Sequence, residues 1–336
     1  MLRTALASVI VLVPAVPSPS SVGMMITARR TDTLIARGIA LAVHHAFRGR
    51  RRTAVAVRSE IRPWRSVMPS IVTGDKTTLH YYDTGGEGRP VVLIAGYGAP
   101  ADSWALQWAA LRAASHRVIS LDRRWHGRSG RPPYGHRMSR HGKDLRELLE
   151  QLDLRDALVV GQSMGASTIW AYASLFGCDR LAGIVTVDQT PKMVNSADWK
   201  LGYYGLTAEN LGTFLLDPAA IFTGRGRAWP DPVATDALVR RAGGRGLTRD
   251  ISPDSYPLLF DHACQDWRDV VAGIDVPALI VAGAESQFWP AEHAAATAAL
   301  SPLARAVVVS GGGHPTHIDQ PEAVARLITD FAASLA

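Results

Sequence analysis

The sequence has little cysteine: Cys178 and Cys264 are the only two in 336 residues. That is too few for a disulfide framework or a four-cysteine zinc site, and packing is the role expected of both. No apolar run approaches the roughly 18 residues that a membrane-spanning helix needs; the N-terminal stretch Ala5–Val16 is 12 residues long. A phosphate-binding Gly-x-x-x-x-Gly-Lys loop, a dinucleotide fingerprint after a strand and a His-Glu-x-x-His helix are all missing. The sequence therefore predicts no nucleotide cofactor and no metal. No internal repeat is present. Apolar residues at 47% and charged residues at 20% exclude global disorder and allow a large buried core.

The net charge of +6 is uneven. Residues 1–68 carry eleven arginines against Asp32 and Glu60, a net of +9, so the remainder sums to −3. The basic character thus belongs to an N-terminal extension, 1–68, and no aromatic–basic interleaving accompanies it, which argues against a nucleic-acid partner. Residues 1–21 resemble a signal peptide only loosely, with a thin positive region, interrupting prolines and no clean cleavage site. "LIARGIALAVHHAFRGRRR" has the pattern of a basic amphipathic helix that could lie weakly on a membrane. The plainer alternatives are a poorly ordered leader or a true start nearer Met24, Met25 or Met68. A cytoplasmic location is expected, with secretion or membrane association if 1–21 act as a signal. Oligomeric state is left open.

From Ser70 the grammar changes. "TTLHYYD", "PVVLIAG", "HRVISLD", "DALVVGQ", "LAGIVTVD", "PALIVAG" and "ARAVVVS" are short apolar runs separated by amphipathic stretches such as "DLRELLEQL". Near-continuous Val, Ile, Leu and Ala is how strands buried on both faces read. The alternation predicts an α/β domain over 69–336 with a mostly parallel central sheet flanked by helices, and an antiparallel pair at the edge before Asp83. Between Asp188 and Pro277 the beat stops. That interval is rich in aromatics, including Trp199, Tyr203, Tyr204, Trp229 and Trp267, and about 190–270 is expected to be a helical cap inserted after the sixth strand.

The chemistry-bearing residues fall around this frame. "ALVVGQSMGAS" is an apolar strand that stops at Gly-x-Ser-x-Gly before a helix-like run. A bare pentapeptide carries little, but strand–turn–helix context makes Ser163 a candidate nucleophile at a sharp elbow, with Gly161 and Gly165 giving room beside it. The helix N-terminus adds a positive dipole there. "VVVSGGGHPTHIDQPEAV" places His314 in a glycine-rich loop after the last strand, from which it could reach the elbow as base; His317 is the competitor. Oxyanion donors are expected from the backbone amides of Met164, next to the nucleophile, and Tyr97, in the "GYGAP" loop. Asp122 and His126 read as structural groups of the "LDRRWHGRS" loop. Trp125, Trp199, Tyr203 and His262 are candidates for the substrate pocket, although packing competes with that role for His262.

These stretches, together with "ADSWALQ", "LDRRWHGRSGRPPYGH" and "GGGHPTHIDQPEAV", occur in the order found in the α/β-hydrolase superfamily. From about Ser70 the chain resembles that superfamily, and within it the cofactor-free haloperoxidase (perhydrolase) and esterase group. The resemblance implies a Ser–His–acid hydrolase under a helical cap. Two departures stand out. Ala95-Gly96 occupies the oxyanion loop where His-Gly is frequent. Where the usual acid stands, three residues after the glycine ending the penultimate strand, the sequence has Ser286 in "GAESQFWP". Asp188, ending "GIVTVD", is the replacement chosen here, with Glu285 as alternative and a weakened Ser–His dyad if neither serves. Trp125 also replaces a frequent glycine. The expected activity is cleavage of an ester, lactone or related acyl bond of an apolar small molecule through an acyl-enzyme. The alternatives are biosynthetic tailoring on the same triad, by thioester, carbon–carbon or perhydrolase chemistry, and a non-catalytic binding protein on this fold.

Overall fold

The computed structural model describes the backbone of residues 11–13 and, beyond them, residues 68–216, 227–249 and 251–335. The leader, signal and amphipathic-helix readings of 1–68 therefore lie, apart from that short backbone, outside the described residues. So do 217–226 of the expected cap.

Nine strands form one sheet: β1 (Val11–Val13), β2 (Ser70–Val72), β3 (Thr78–Asp83), β4 (Pro90–Ile94), β5 (Arg117–Leu121), β6 (Ala157–Gln162), β7 (Leu181–Val187), β8 (Ala278–Gly283) and β9 (Ala304–Val309), in the order β1-β9-β8-β7-β6-β4-β5-β3-β2. From β5 through β4, β6, β7 and β8 to β9 every pairing is parallel, while β3 and β2 close one edge antiparallel. The sheet is that of an α/β-hydrolase fold. At the other edge β1 pairs in parallel with β9.

All six residues of β6 and of β8 are buried, because helices cover both faces. Successive side chains of a strand point to opposite faces, and the core divides accordingly. Val92, Ile94, Ile119, Leu121 and Val159 pack with Leu145, Leu148 and Leu149 of α2 (Met138–Gln151) and with Ile169 and Trp170 of α3 (Met164–Phe176). Val91, Leu93, Val118, Leu158 and Val160 pack with Trp108 and Leu111 of α1 (Ala105–Ala113) and with Val324, Ile328 and Phe331 of the C-terminal helix Pro321–Ala333. Each fully buried aliphatic side chain of this kind contributes about 1.5–3 kcal/mol.

The stretch between β7 and β8 leaves the sixth strand counted from Ser70. It carries short helices at Leu211–Phe214, Pro232–Arg241, Tyr256–Cys264 and Arg268–Ala272. Asp231 caps the second, its side chain accepting from the Ala234 N–H at 2.7 Å, with Pro232 at the first helical position, where no N–H is needed. A separate apolar cluster of Met193, Tyr203, Leu206, Leu215, Ala263 and Trp289 holds this segment. Cys178 is buried as expected, but Cys264 is exposed at a helix end, which corrects the packing role given to it. No helix among the described residues is long and apolar enough to cross a membrane.

Candidate active site

The elbow is built by β6 and α3. Between them Ser163 takes φ +53° and ψ −127°, a backbone state that costs a non-glycine residue about 1–3 kcal/mol. Hydrogen bonds hold it there: its N–H donates to Val187 O at 3.0 Å, and its carbonyl accepts from the Ala166 N–H at 2.8 Å. Two glycines make the turn possible. A Cβ on Gly161 would overlap the Gly165 and Ala166 backbone, and one on Gly165 would overlap the Ile94 carbonyl oxygen. The turn thus lifts the Ser163 hydroxyl above the carboxyl ends of the parallel strands.

His314 reaches it from the loop after β9. Its Nε2 stands 3.0 Å from Ser163 Oγ, and its Nδ1 stands 2.8 Å from Asp188 Oδ2. A carboxylate only accepts, so Nδ1 carries the proton donated to Asp188, and Nε2 presents its lone pair to the serine hydroxyl. The loop is tied on two sides: the His314 N–H donates to Gln287 Oε1 at 2.6 Å, and Gln162 Nε2 donates to the His314 carbonyl at 3.0 Å. The ring lies 4.1 Å from that of Phe288 and 5.2 Å from that of Trp289, centroid to centroid. Burial pulls the His314 pKa below its ordinary value; Asp188 opposes this, while Arg249 and His293 add to it.

Asp188 follows β7 in the left-handed region, φ +48°, which aspartate tolerates better than most residues. It is fully buried, and Oδ1 accepts from the Gly283 N–H at 2.9 Å, while Oδ2 accepts from Ser286 Oγ at 2.7 Å as well as from His314. Burial raises its pKa, but the imidazoles of His293 and His314 outweigh this and hold the carboxyl below the usual range. Ser286, at the position where an acid is usual in this fold, therefore donates to the very oxygen that receives the imidazole N–H. The alternative acid Glu285 is elsewhere: its side chain is 59% exposed and lies 3.7 Å from Arg227 Nε. His317, the competing base, is stacked 4.3 Å from Trp104, and burial lowers its pKa to about 3.

The Met164 amide is the first of α3, where an N–H has no acceptor within the helix. Gly96 abuts Ser163, since a Cβ there would stand 3.0 Å from Ser163 Cβ. Sequence reasoning missed what fixes this loop. Buried Arg123 donates from Nε to Ala95 O at 3.1 Å and from Nη2 to Gly96 O at 2.8 Å. In a trans peptide the carbonyl and the following N–H point opposite ways, so the grip on Gly96 O turns the Tyr97 N–H away from Arg123. The "DRRW" run was the only signal, and it read as loop structure. Burial lowers the Arg123 pKa to about 9. Beside it His126 bonds Arg124 O at 2.8 Å, and Asp122 accepts the Ala101 and Arg128 amides at 2.7 and 3.0 Å, both structural contacts.

A cavity of about 250 Å³ opens over Ser163 and His314, lined also by Tyr97, Tyr203, His262 and Arg249. Burial lowers the His262 pKa to about 3, so it faces the cavity as a neutral ring. Trp125 and Trp199 do not line it, which corrects their assignment to the pocket. Trp125 sits at φ +66°, and that turn carries its indole to Pro132 O, 2.8 Å away, and against His136. Trp199 donates to Thr190 Oγ1 at 3.1 Å and lies under Arg268. Aromatic content marked the segment but not which rings face inward. Gln162, Gln287 and Phe288 were also missed; only their adjacency to Ser163 and Ser286 hinted at them.

The sequence pattern of the Alpha/beta hydrolase family matches residues 91–327. A non-heme haloperoxidase of Rhodococcus erythropolis is 30% identical over 258 residues, covering 74% of this chain and 93% of that protein. A bifunctional esterase/perhydrolase of Acinetobacter calcoaceticus is 26% identical over 67% of this chain and 84% of its own length. Among solved structures, a bromoperoxidase from Bacillus anthracis superimposes with a TM-score of 0.66 at 25% identity, over 80% of this chain and 99% of its own.

Proposed function

The chain belongs to the α/β-hydrolase family of enzymes, and on that premise we propose that it is a serine hydrolase of carboxylic esters or lactones. The observation that carries the reading is the unbroken line Asp188–His314–Ser163, with contacts of 2.8 and 3.0 Å. In this reaction His314 Nε2 takes the hydroxyl proton as Ser163 Oγ attacks the acyl carbon, and Asp188 stabilises the resulting imidazolium. The Met164 and Tyr97 amides receive the charge developing on the carbonyl oxygen. The imidazolium returns its proton to the leaving alcohol. Water, losing a proton to the same nitrogen, then attacks the acyl-enzyme, and the imidazolium returns that proton to Ser163 Oγ as the acid leaves. The segment between β7 and β8 acts as a cap that screens these steps from bulk water.

The experiment is a panel of p-nitrophenyl esters and lactones with fluorophosphonate labelling. Ser163→Ala should abolish both turnover and labelling, since other hydroxyls lack the imidazole. Turnover at the native rate in that variant sinks the proposal. The bifunctional Acinetobacter relative favours one secondary outcome. Hydrogen peroxide replacing water at the acyl-enzyme gives a peracid, which should appear only when both ester and peroxide are present.

A further inference from the structure

The cavity over Ser163 is walled mainly by aromatic, aliphatic and neutral polar groups, and among the described residues Arg249 is its only Lys, Arg, Asp or Glu. The guanidinium lies 5.8 Å from the Trp229 ring centroid, and the side chain also borders the adjoining hollow formed with Leu247 and Pro315. The residue is solvent-exposed while bordering both spaces. Among the described residues it has no carboxylate within ion-pair distance, and no acid acts on its pKa. The buried arginines, by contrast, are engaged: Arg124 by Asp144 and Asp75, the latter at 3.0 Å, and Arg123 by two loop carbonyls. A guanidinium placed at the cavity with no acid of its own can take an anionic partner without breaking an existing ion pair.

We propose that Arg249 is a carboxylate subsite, so that the preferred substrate is an ester or lactone bearing a second, free carboxylate. The guanidinium presents a planar donor fork that matches a carboxylate. Its position limits where that group goes, because Arg249 lines the same cavity as Ser163 and His314. A charge-bearing acyl chain would thus be anchored by Arg249 while its ester carbonyl meets Ser163. Naming the ligand a substrate rests on the hydrolase reading, whereas carboxylate binding does not.

The test compares monomethyl glutarate with its neutral counterpart, dimethyl glutarate. The native enzyme should favour the charged ester in kcat/KM by about tenfold, the effect of one charge-assisted contact. Arg249→Gln should erase that preference, lowering kcat/KM on monomethyl glutarate at least about fivefold more than on dimethyl glutarate, and Arg249→Lys should retain part of it. Equal use of both esters by the native enzyme, or an equal loss on both in Arg249→Gln, overturns the proposal. Calorimetry of monomethyl glutarate on Ser163→Ala separates the two readings. Binding that vanishes in Ser163→Ala/Arg249→Gln supports the subsite even if no ester is turned over, and absence of binding to Ser163→Ala overturns it.

Discussion

Replacing Asp188 by Asn removes one charge and almost no volume, and the consequence follows from three donors. Asp188 receives the Gly283 N–H at 2.9 Å, the Ser286 hydroxyl at 2.7 Å and His314 Nδ1 at 2.8 Å. An amide has a single acceptor oxygen. The Gly283 N–H belongs to the sheet end and cannot turn, so the Asn oxygen must face it, and the amide nitrogen then replaces Oδ2. Ser286 can rotate its proton and accept, but His314 must offer a lone pair at Nδ1 and move its proton to Nε2. The ring then donates toward Ser163 and cannot take its proton. Wrong-tautomer variants of such triads lose about 10⁴ in kcat, or about 5.5 kcal/mol of barrier. The assay is steady-state hydrolysis of p-nitrophenyl acetate with the rate of fluorophosphonate labelling. A kcat within about tenfold of native, or an equivalent loss in Glu285→Gln instead, would refute the reasoning.

The acid limb of kcat/KM gives a second check. Only neutral His314 accepts the Ser163 proton, and burial places its pKa below the ordinary 6.5. Activity should therefore persist below pH 6.5 and fall as pH drops through the lowered value; a midpoint at or above 6.5 contradicts this. In Asp188→Asn the residual activity should show the limb at still lower pH, because the carboxylate that raises the imidazole pKa is gone. Arg123→Met should lower kcat about 10- to 100-fold with little change in KM, since the Ala95 and Gly96 carbonyls lose their donors and the Tyr97 amide its fixed direction. An unchanged kcat in a variant shown by thermal melting to be folded would remove Arg123 from the positioning of that loop.

The periodicity of the sequence was enough to specify strands β3 to β9, but not the edge strand β1, which lies in the stretch that read as a loose leader. Runs such as Leu158–Val160 and Leu279–Val281 read as strands buried on both faces, and they are, because β6 and β8 lie inside the sheet with helices on either side. The elbow was equally legible: only glycine fits at 161 and 165, so the spacing around Ser163 is a steric requirement written into local sequence. Residues that act through distant partners left no such mark. The carboxylate against His314 is 126 positions away in sequence, so Asp188 could be ranked above Glu285 only as an expectation; the structure separates them because one ends a buried strand facing the ring while the other reaches solvent beside Arg227. Inward-facing aromatics could not be told from packed ones, so Tyr203 lines the cavity while Trp125 and Trp199 turn away. Local geometry and burial periodicity are properties of a few consecutive residues, and the sequence by itself determined them. Which carboxylate meets the imidazole, which guanidinium grips the oxyanion loop and which one stands without an acid in the cavity depend on contacts closed by the whole sheet, and only the tertiary structure decided those.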